Sequence, residues 1–262
     1  MLGFNYLNRP DLNRNQIMKI ISQINCGRLA LAILLASAAV PALGQGTLII
    51  QHSGATDPST EGWYGFGGYP ITNDLGVNAW SMPEPNNLYD HYQYDTTSQQ
   101  QAELSSAGWT YSINARIATS NAPLGQFEYF DAILWGSQVS IAELIFGSAT
   151  NGDPIVRLNC GSISDTITLT GAGSTYNLYQ LQYDVSVDTA SLWINGVDYL
   201  SNIPLTNQNI VTVAWEGGGS PTYERVNWNL VSLEITPEPS TVALFGLGAF
   251  IVAARRFRER RL

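Results

Sequence analysis

The chain has 262 residues, 45% hydrophobic and 13% charged, with a formal net charge of −9. That acidity excludes nucleic-acid binding by phosphate neutralisation, which needs a basic footprint. Only two cysteines, Cys26 and Cys160, are present, which excludes a disulfide framework and a structural cysteine zinc site.

Lys19 and Arg28 precede an apolar stretch, Leu29–Val40, that ends in small residues. This is the layout of a secretory signal peptide, with cleavage expected between Ala42 and Gln45. Residues 1–17 are polar and rich in asparagine, and they read as an over-extended start with Met18 as the initiator. Residues 1–44 are therefore set aside as leader. Residues 45–235 are one domain by length, and 236–262 form a separate tail. The domain has three arginines (Arg116, Arg157 and Arg225), no lysine and eighteen carboxylates, a net of −15. Such a surface repels anionic membranes and anionic polysaccharides. Neutral glycans or cations remain as compatible partners. With Cys26 in the leader, Cys160 is alone and reads as a small buried hydrophobe.

Within the domain, period-two runs follow one another with turn signals between them. The predicted strands are Thr47–His52, Trp109–Ile117, Gln126–Trp135, Val139–Phe146, Pro154–Asn159, Thr166–Thr170, Tyr176–Val185, Ala190–Ile194, Val197–Leu200, Ile210–Trp215 and Arg225–Ile235. One short helix is expected at Ser98–Ser106. Asn195-Gly196 is a strong hairpin signal, because both central positions of a type I′ turn need φ > 0. The fold class is all-β, a two-sheet sandwich or jelly roll. The stretch Tyr176–Tyr183, the hairpin Thr189–Gly196 and the closing run Trp228–Ile235 together resemble the concanavalin A/laminin G-like jelly roll. Ala79–Ser81 and Gly108–Ser112 are similar to the early strands of sialidase-associated versions of that fold.

Hydrolases of that group carry Glu-x-Asp-x-(x)-Glu on one strand, where alternation points the carboxylates into one cleft. The nearest match is Glu128-Tyr129-Phe130-Asp131. Its spacing sends the two carboxylates to opposite faces of a regular strand, so a glycoside hydrolase using Glu128 or Asp131 is the alternative and no catalytic residue is assigned. His52 and His91 lie in unrelated segments, and Gly65-Phe66-Gly67-Gly68 lacks the third glycine of a dinucleotide loop. The loop Trp63–Pro70 is the candidate glycan platform. Trp63, Tyr64, Phe66 and Tyr69 offer flat faces to sugar rings, and the glycines let backbone approach closely. No cofactor is required. The resemblance to laminin G-like domains makes Ca²⁺ a possible ligand, from loop carboxylates among Asp57, Asp74, Asp90, Asp95 and Asp153.

The tail reads Pro237-Glu238-Pro239, then an apolar run Val242–Ala254, then Arg255, Arg256, Arg258, Arg260 and Arg261. The prolines bar a helix at the start, and the arginines hold the end on the cytoplasmic side. The run is shorter than the ~20 residues of an ordinary span. This arrangement resembles the PEP-CTERM sorting signal of Gram-negative bacteria. The resemblance implies membrane anchoring through the C-terminal helix, processing by exosortase near Pro237–Pro239, and delivery to the cell surface or an exopolysaccharide matrix. The expected activity is non-catalytic glycan binding or a structural role, with a ligand-free coat protein as a further alternative.

Overall fold

Alternation along the chain is realised as fifteen strands in two antiparallel sheets, with one α-helix among the described residues. The computed structural model describes residues 46–83, 90–119, 127–137, 140–205, 209–217 and 225–236. They belong to one compact unit. The expected signal peptide, Pro237–Pro239 and the five tail arginines lie outside the described residues, as does the side chain of Glu128.

The strands are β1 (Thr47–Ser53), β2 (Tyr64–Phe66), β3 (Tyr69–Asp74), β4 (Val77–Pro83), β5 (Asp90–Asp95), β6 (Trp109–Thr119), β7 (Phe127–Trp135) and β8 (Ser140–Ser148). They continue as β9 (Pro154–Cys160), β10 (Ile163–Thr168), β11 (Asn177–Asp184), β12 (Thr189–Ile194), β13 (Val197–Pro204), β14 (Thr212–Gly217) and β15 (Arg225–Ile235). One sheet has eight strands, in the order β13-β12-β11-β6-β15-β4-β3 with β1 also on β15. The other has seven, in the order β10-β9-β8-β7-β14-β5-β2. The last strand, β15, is the hub of the larger sheet. It pairs with β6 along one side, and with β1 and β4 along the other.

The sheets share one apolar core. At its centre sits Trp215, fully buried. His52 stacks on it at 4.9 Å, Tyr92 stacks at 5.2 Å, Trp228 lies at 5.4 Å and Trp63 meets it edge-on at 6.0 Å. These rings come from β1, β5, β15 and the segment before β2, so the cluster ties both sheets together. His52 is held by Glu61, whose carboxylate lies 2.7 Å from its Nδ1. Burial lowers the His52 pKa, and Glu61 only partly offsets this. Cys160 is buried, and burial alone pushes its thiol up to about 11, which makes it inert at neutral pH.

The helix α1 (Ser98–Ala107) starts on a capping box: Thr97 Oγ1 accepts from the Gln100 N–H, and the Gln100 side chain accepts from the Thr97 N–H. Asn195 (φ 52°) and Gly196 (φ 79°) form the expected hairpin turn between β12 and β13. The expected loop at Trp63–Pro70 instead contains β2 and β3, in different sheets. Gly67 and Gly68 make the crossing. A Cβ on Gly67 would lie 2.1 Å from the Asp90 carboxyl carbon, and one on Gly68 would lie 2.3 Å from Trp80 Nε1. Both glycines also have positive φ. Asp90 accepts from the Gly68 N–H, while Trp80 Nε1 and the Tyr92 hydroxyl both donate to the Gly67 carbonyl. No side chain fits where backbone is gripped this closely.

Gly68→Ala is expected to cost about 1–3 kcal/mol through overpacking and an unfavourable φ. Gly76→Ala, with nothing within 4 Å of its added carbon, should cost less. Urea midpoints of the two variants compare them; equal midpoints would show that the crossing tolerates a side chain.

Candidate functional site

Period two decides what the seven-stranded sheet shows to the outside. Ala132, Leu134, Leu144, Phe146, Val156, Leu158, Val213 and Trp215 point inward into the core. The alternate positions therefore face outward. They are Tyr64 and Phe66 on β2; His91, Gln93 and Asp95 on β5; Thr212, Ala214 and Glu216 on β14; Asp131, Ile133 and Trp135 on β7; Glu143 on β8; and Arg157 and Asn159 on β9. Exposed aromatics sit on this face: Tyr64 is 50% exposed, Phe66 57% and Trp135 41%. Phe66 meets the His91 ring edge-on at 5.0 Å. Tyr64 donates to Asp95 Oδ2 at 3.1 Å and receives a hydrogen bond from Gln93 Nε2.

Three carboxyl groups meet at the centre of the face. Asp131 lies directly opposite Glu216 across β7 and β14. Glu143 pairs with Ile133 across β7 and β8, one outward position along from Asp131. Asp131 is 9% exposed, and its Oδ1 has no hydrogen-bond partner. Desolvation, then the charge and hydrogen bonding of Glu216 and Glu143, push its pKa up to about 9. Burial and the neighbouring carboxyl groups thus favour the protonated form of Asp131. Asn159 Nδ2 donates to Glu143 at 2.7 Å and orients it.

The aromatic platform expected from sequence is divided. Trp63 is 2% exposed and packs against Trp215, so it serves the core and presents no face to a ligand. Tyr64 and Phe66 lie on the outer face of the seven-stranded sheet. Tyr69 is opposite Ser81 on the outer face of the other sheet, where Arg225 donates to its hydroxyl at 3.2 Å. The loop carboxylates considered for calcium do not converge. Asp57 caps a short 3-10 turn, Asp74 pairs with Arg116, Asp90 holds Gly68, Asp95 holds Tyr64 and Thr212, and Asp153 accepts from the Gly171 and Gly173 amides. Among the described residues no group of three or more His, Cys, Asp and Glu is arranged to hold an ion. Asp131 is at the site. Along the same strand, the β7–β8 register slips between Phe127 and Phe130. Sequence reading missed Glu143, Glu216 and Trp135. Each occupies an outward position beside an inward apolar one, but nothing local says that β14 lies beside β7.

Comparison with known proteins bears on the tail and the fold separately. Residues 236–261 match the PEP-CTERM protein-sorting motif. A PEP-CTERM motif implies an exported, exosortase-processed surface protein, a type found in Gram-negative bacteria. No curated protein matches the chain by sequence. Among solved structures, the chain is similar to the CBM2 module of Lactobacillus casei BL23 phage J-1 evolved Dit. There the TM-score is 0.54 at 12% identity, covering 75% of this chain and 98% of that one. It is similar to the carbohydrate esterase vb_24B_21 from Shiga toxin-encoding bacteriophage phi24B, with a TM-score of 0.52 at 13% identity, covering 73% and 99%. These likenesses establish the fold, a jelly-roll-like β-sandwich.

The folded state keeps on Asp131 a proton that the unfolded chain releases. Stability should therefore be full below the ordinary carboxylate range and fall as pH rises from there towards about 9, by up to ~1.4 kcal/mol per pH unit for one proton. Asp131→Asn, which mimics the protonated form, should flatten that decline. Chemical denaturation across the range measures it; parallel curves for the two proteins would mean that Asp131 ionises normally. Trp63→Ala should cost about 3–5 kcal/mol, as for a core aromatic, read as a lowered melting temperature.

Proposed function

We propose that this is an exported surface protein, placed by its PEP-CTERM tail at the cell surface or in an exopolysaccharide matrix, whose β-sandwich binds a neutral glycan. The ligand face in this reading is the outer surface of the seven-stranded sheet. One observation carries the reading: exposed Tyr64, Phe66 and Trp135 share that face with the polar side chains Gln93, Asp95, Thr212, Glu143 and Asn159. Flat aromatic surfaces bury the apolar faces of sugar rings, and neighbouring polar groups take the hydroxyls. The net charge of −15 over residues 45–235 disfavours anionic polymers and leaves neutral ones. The fold it shares with the two phage proteins is compatible with this role, and the reading requires no cofactor.

A second reading, a glycoside hydrolase, is favoured by the meeting of Asp131, Glu143 and Glu216. A carboxyl group held protonated by burial beside two further carboxyl groups is the equipment for protonating a leaving group. Release of reducing sugar from a bound glycan separates the readings.

Two measurements test the proposal. Purified full-length protein should be retained on particulate cellulose or β-1,3-glucan and not on alginate, and Phe66→Ala with Trp135→Ala should weaken retention by roughly 1–3 kcal/mol per stacking ring. Equal retention of the double variant would sink the proposed face. In a native host, mass spectrometry of released protein should find no Arg255–Leu262. Replacing Pro237, Glu238 and Pro239 by alanine should leave the tail intact and the protein membrane-retained. Released protein that still carries the arginines would overturn the sorting reading.

A further inference from the structure

We propose that Asp131, Glu143 and Glu216 act as one proton-sharing centre in the ligand face, gripping hydroxyls of an uncharged polysaccharide while the proton is present and releasing the chain when alkaline surroundings remove it. The inference rests on the glycan-binding reading above and adds its regulation.

The geometry comes from the consecutive strands β7 and β8 and from β14, which is distant in sequence. Asp131 of β7 faces Glu216 of β14 directly, and Glu143 of β8 stands diagonally across from it. Side chains so placed on one face are within reach of each other. Both glutamates raise the Asp131 pKa, in addition to its burial. At 9% exposure it is nine-tenths buried, yet its Oδ1 is unpartnered. A buried polar atom without a partner costs free energy, so it is retained where something else uses it. The other titratable or charged groups facing the centre are few. His91 of β5 is opposite Glu216, and Arg157 of β9 is opposite Ile145, the residue that faces Asp131 across β8. Tyr111 approaches from the core, with its hydroxyl donating to the Ala214 carbonyl. Glu128 of β7 lies outside the described side chains.

A protonated carboxyl is both donor and acceptor, which suits it to a sugar hydroxyl. Covering the centre with a sugar ring strips water from it. With the proton present, the ring covers a neutral acid hydrogen-bonded to its neighbours. With the proton gone, it must cover a buried charge in a cluster of carboxyl groups, which is far more costly. Burial and the two glutamates hold the proton to about pH 9. Affinity should therefore persist through neutral pH and collapse above it.

The test is retention of the purified full-length protein on particulate cellulose, β-1,3-glucan and chitin between about pH 6 and about pH 10 at constant ionic strength, with circular dichroism at each pH. The expected result is a fall of about tenfold or more in affinity at the alkaline end while the fold persists. Asp131→Asn should abolish the fall. Glu216→Gln, which removes one neighbouring charge, should move its midpoint to lower pH. Retention independent of pH, a fall unchanged in Asp131→Asn, or a fall that merely tracks unfolding would overturn this proposal and leave the glycan reading standing. Failure to bind any of the three glycans at any pH would remove both.

Discussion

The packing of rings around Trp215 is the constraint on which the rest of the sandwich depends. Four aromatic rings converge on it within 6.0 Å, from both sheets and from the chain before β2. Buried aromatic clusters of this size contribute a large share of a core's apolar burial. The cluster also sets what lies outside. On a strand, each inward residue commits its neighbours outward. With Trp215 inward, Ala214 and Glu216 must lie on the opposite face of β14. With Ala132 and Leu134 inward, Asp131 and Ile133 must do the same on β7, where both are buried among their neighbours. A slip of one residue in β14 would turn Glu216 inward and Trp215 outward, and one in β7 would turn Asp131 inward and Leu134 outward, so the core fixes the carboxyl centre by register alone.

Much of this was legible in the sequence where the signal is local. Alternation gave β6, β11, β12 and β15 closely, and Asn195-Gly196 gave the turn between β12 and β13. The helix at Ser98 is one residue longer than expected. The misses have one physical origin, contacts between residues far apart in the chain. Trp63 looks like a loop aromatic until Trp215 is placed beside it. The run Tyr64–Tyr69 looks like one platform until Gly67 and Gly68 are seen to carry the backbone between sheets. Glu216 looks like an ordinary outward residue, because no spacing rule links β14 to β7. The tail is the opposite case: its order of prolines, apolar run and arginines is wholly local, and it was readable without any fold.

Burying Asp131 between two glutamates is a liability for the folded state, since neutral pH favours its ionised form in the unfolded chain. Asp131 belongs to neither of the described ion pairs; Arg116 is engaged with Asp74 on the other sheet. A domain with so few arginines and no lysine has little means of offsetting buried acidity except by keeping a proton. Sites that oppose stability in this way are where function is commonly housed.

The position of β15 has a mechanical consequence. It is the strand from which the sorting tail continues, and it runs through the middle of its sheet, bonded to β6 on one side and to β1 and β4 on the other. Ladder hydrogen bonds lie across the strand direction. A pull delivered through the tail therefore loads them in parallel, in shear, and none yields before its neighbours. A strand at the sheet's edge would peel one bond at a time. A load that enters through the last strand meets the sheet along its most resistant seam.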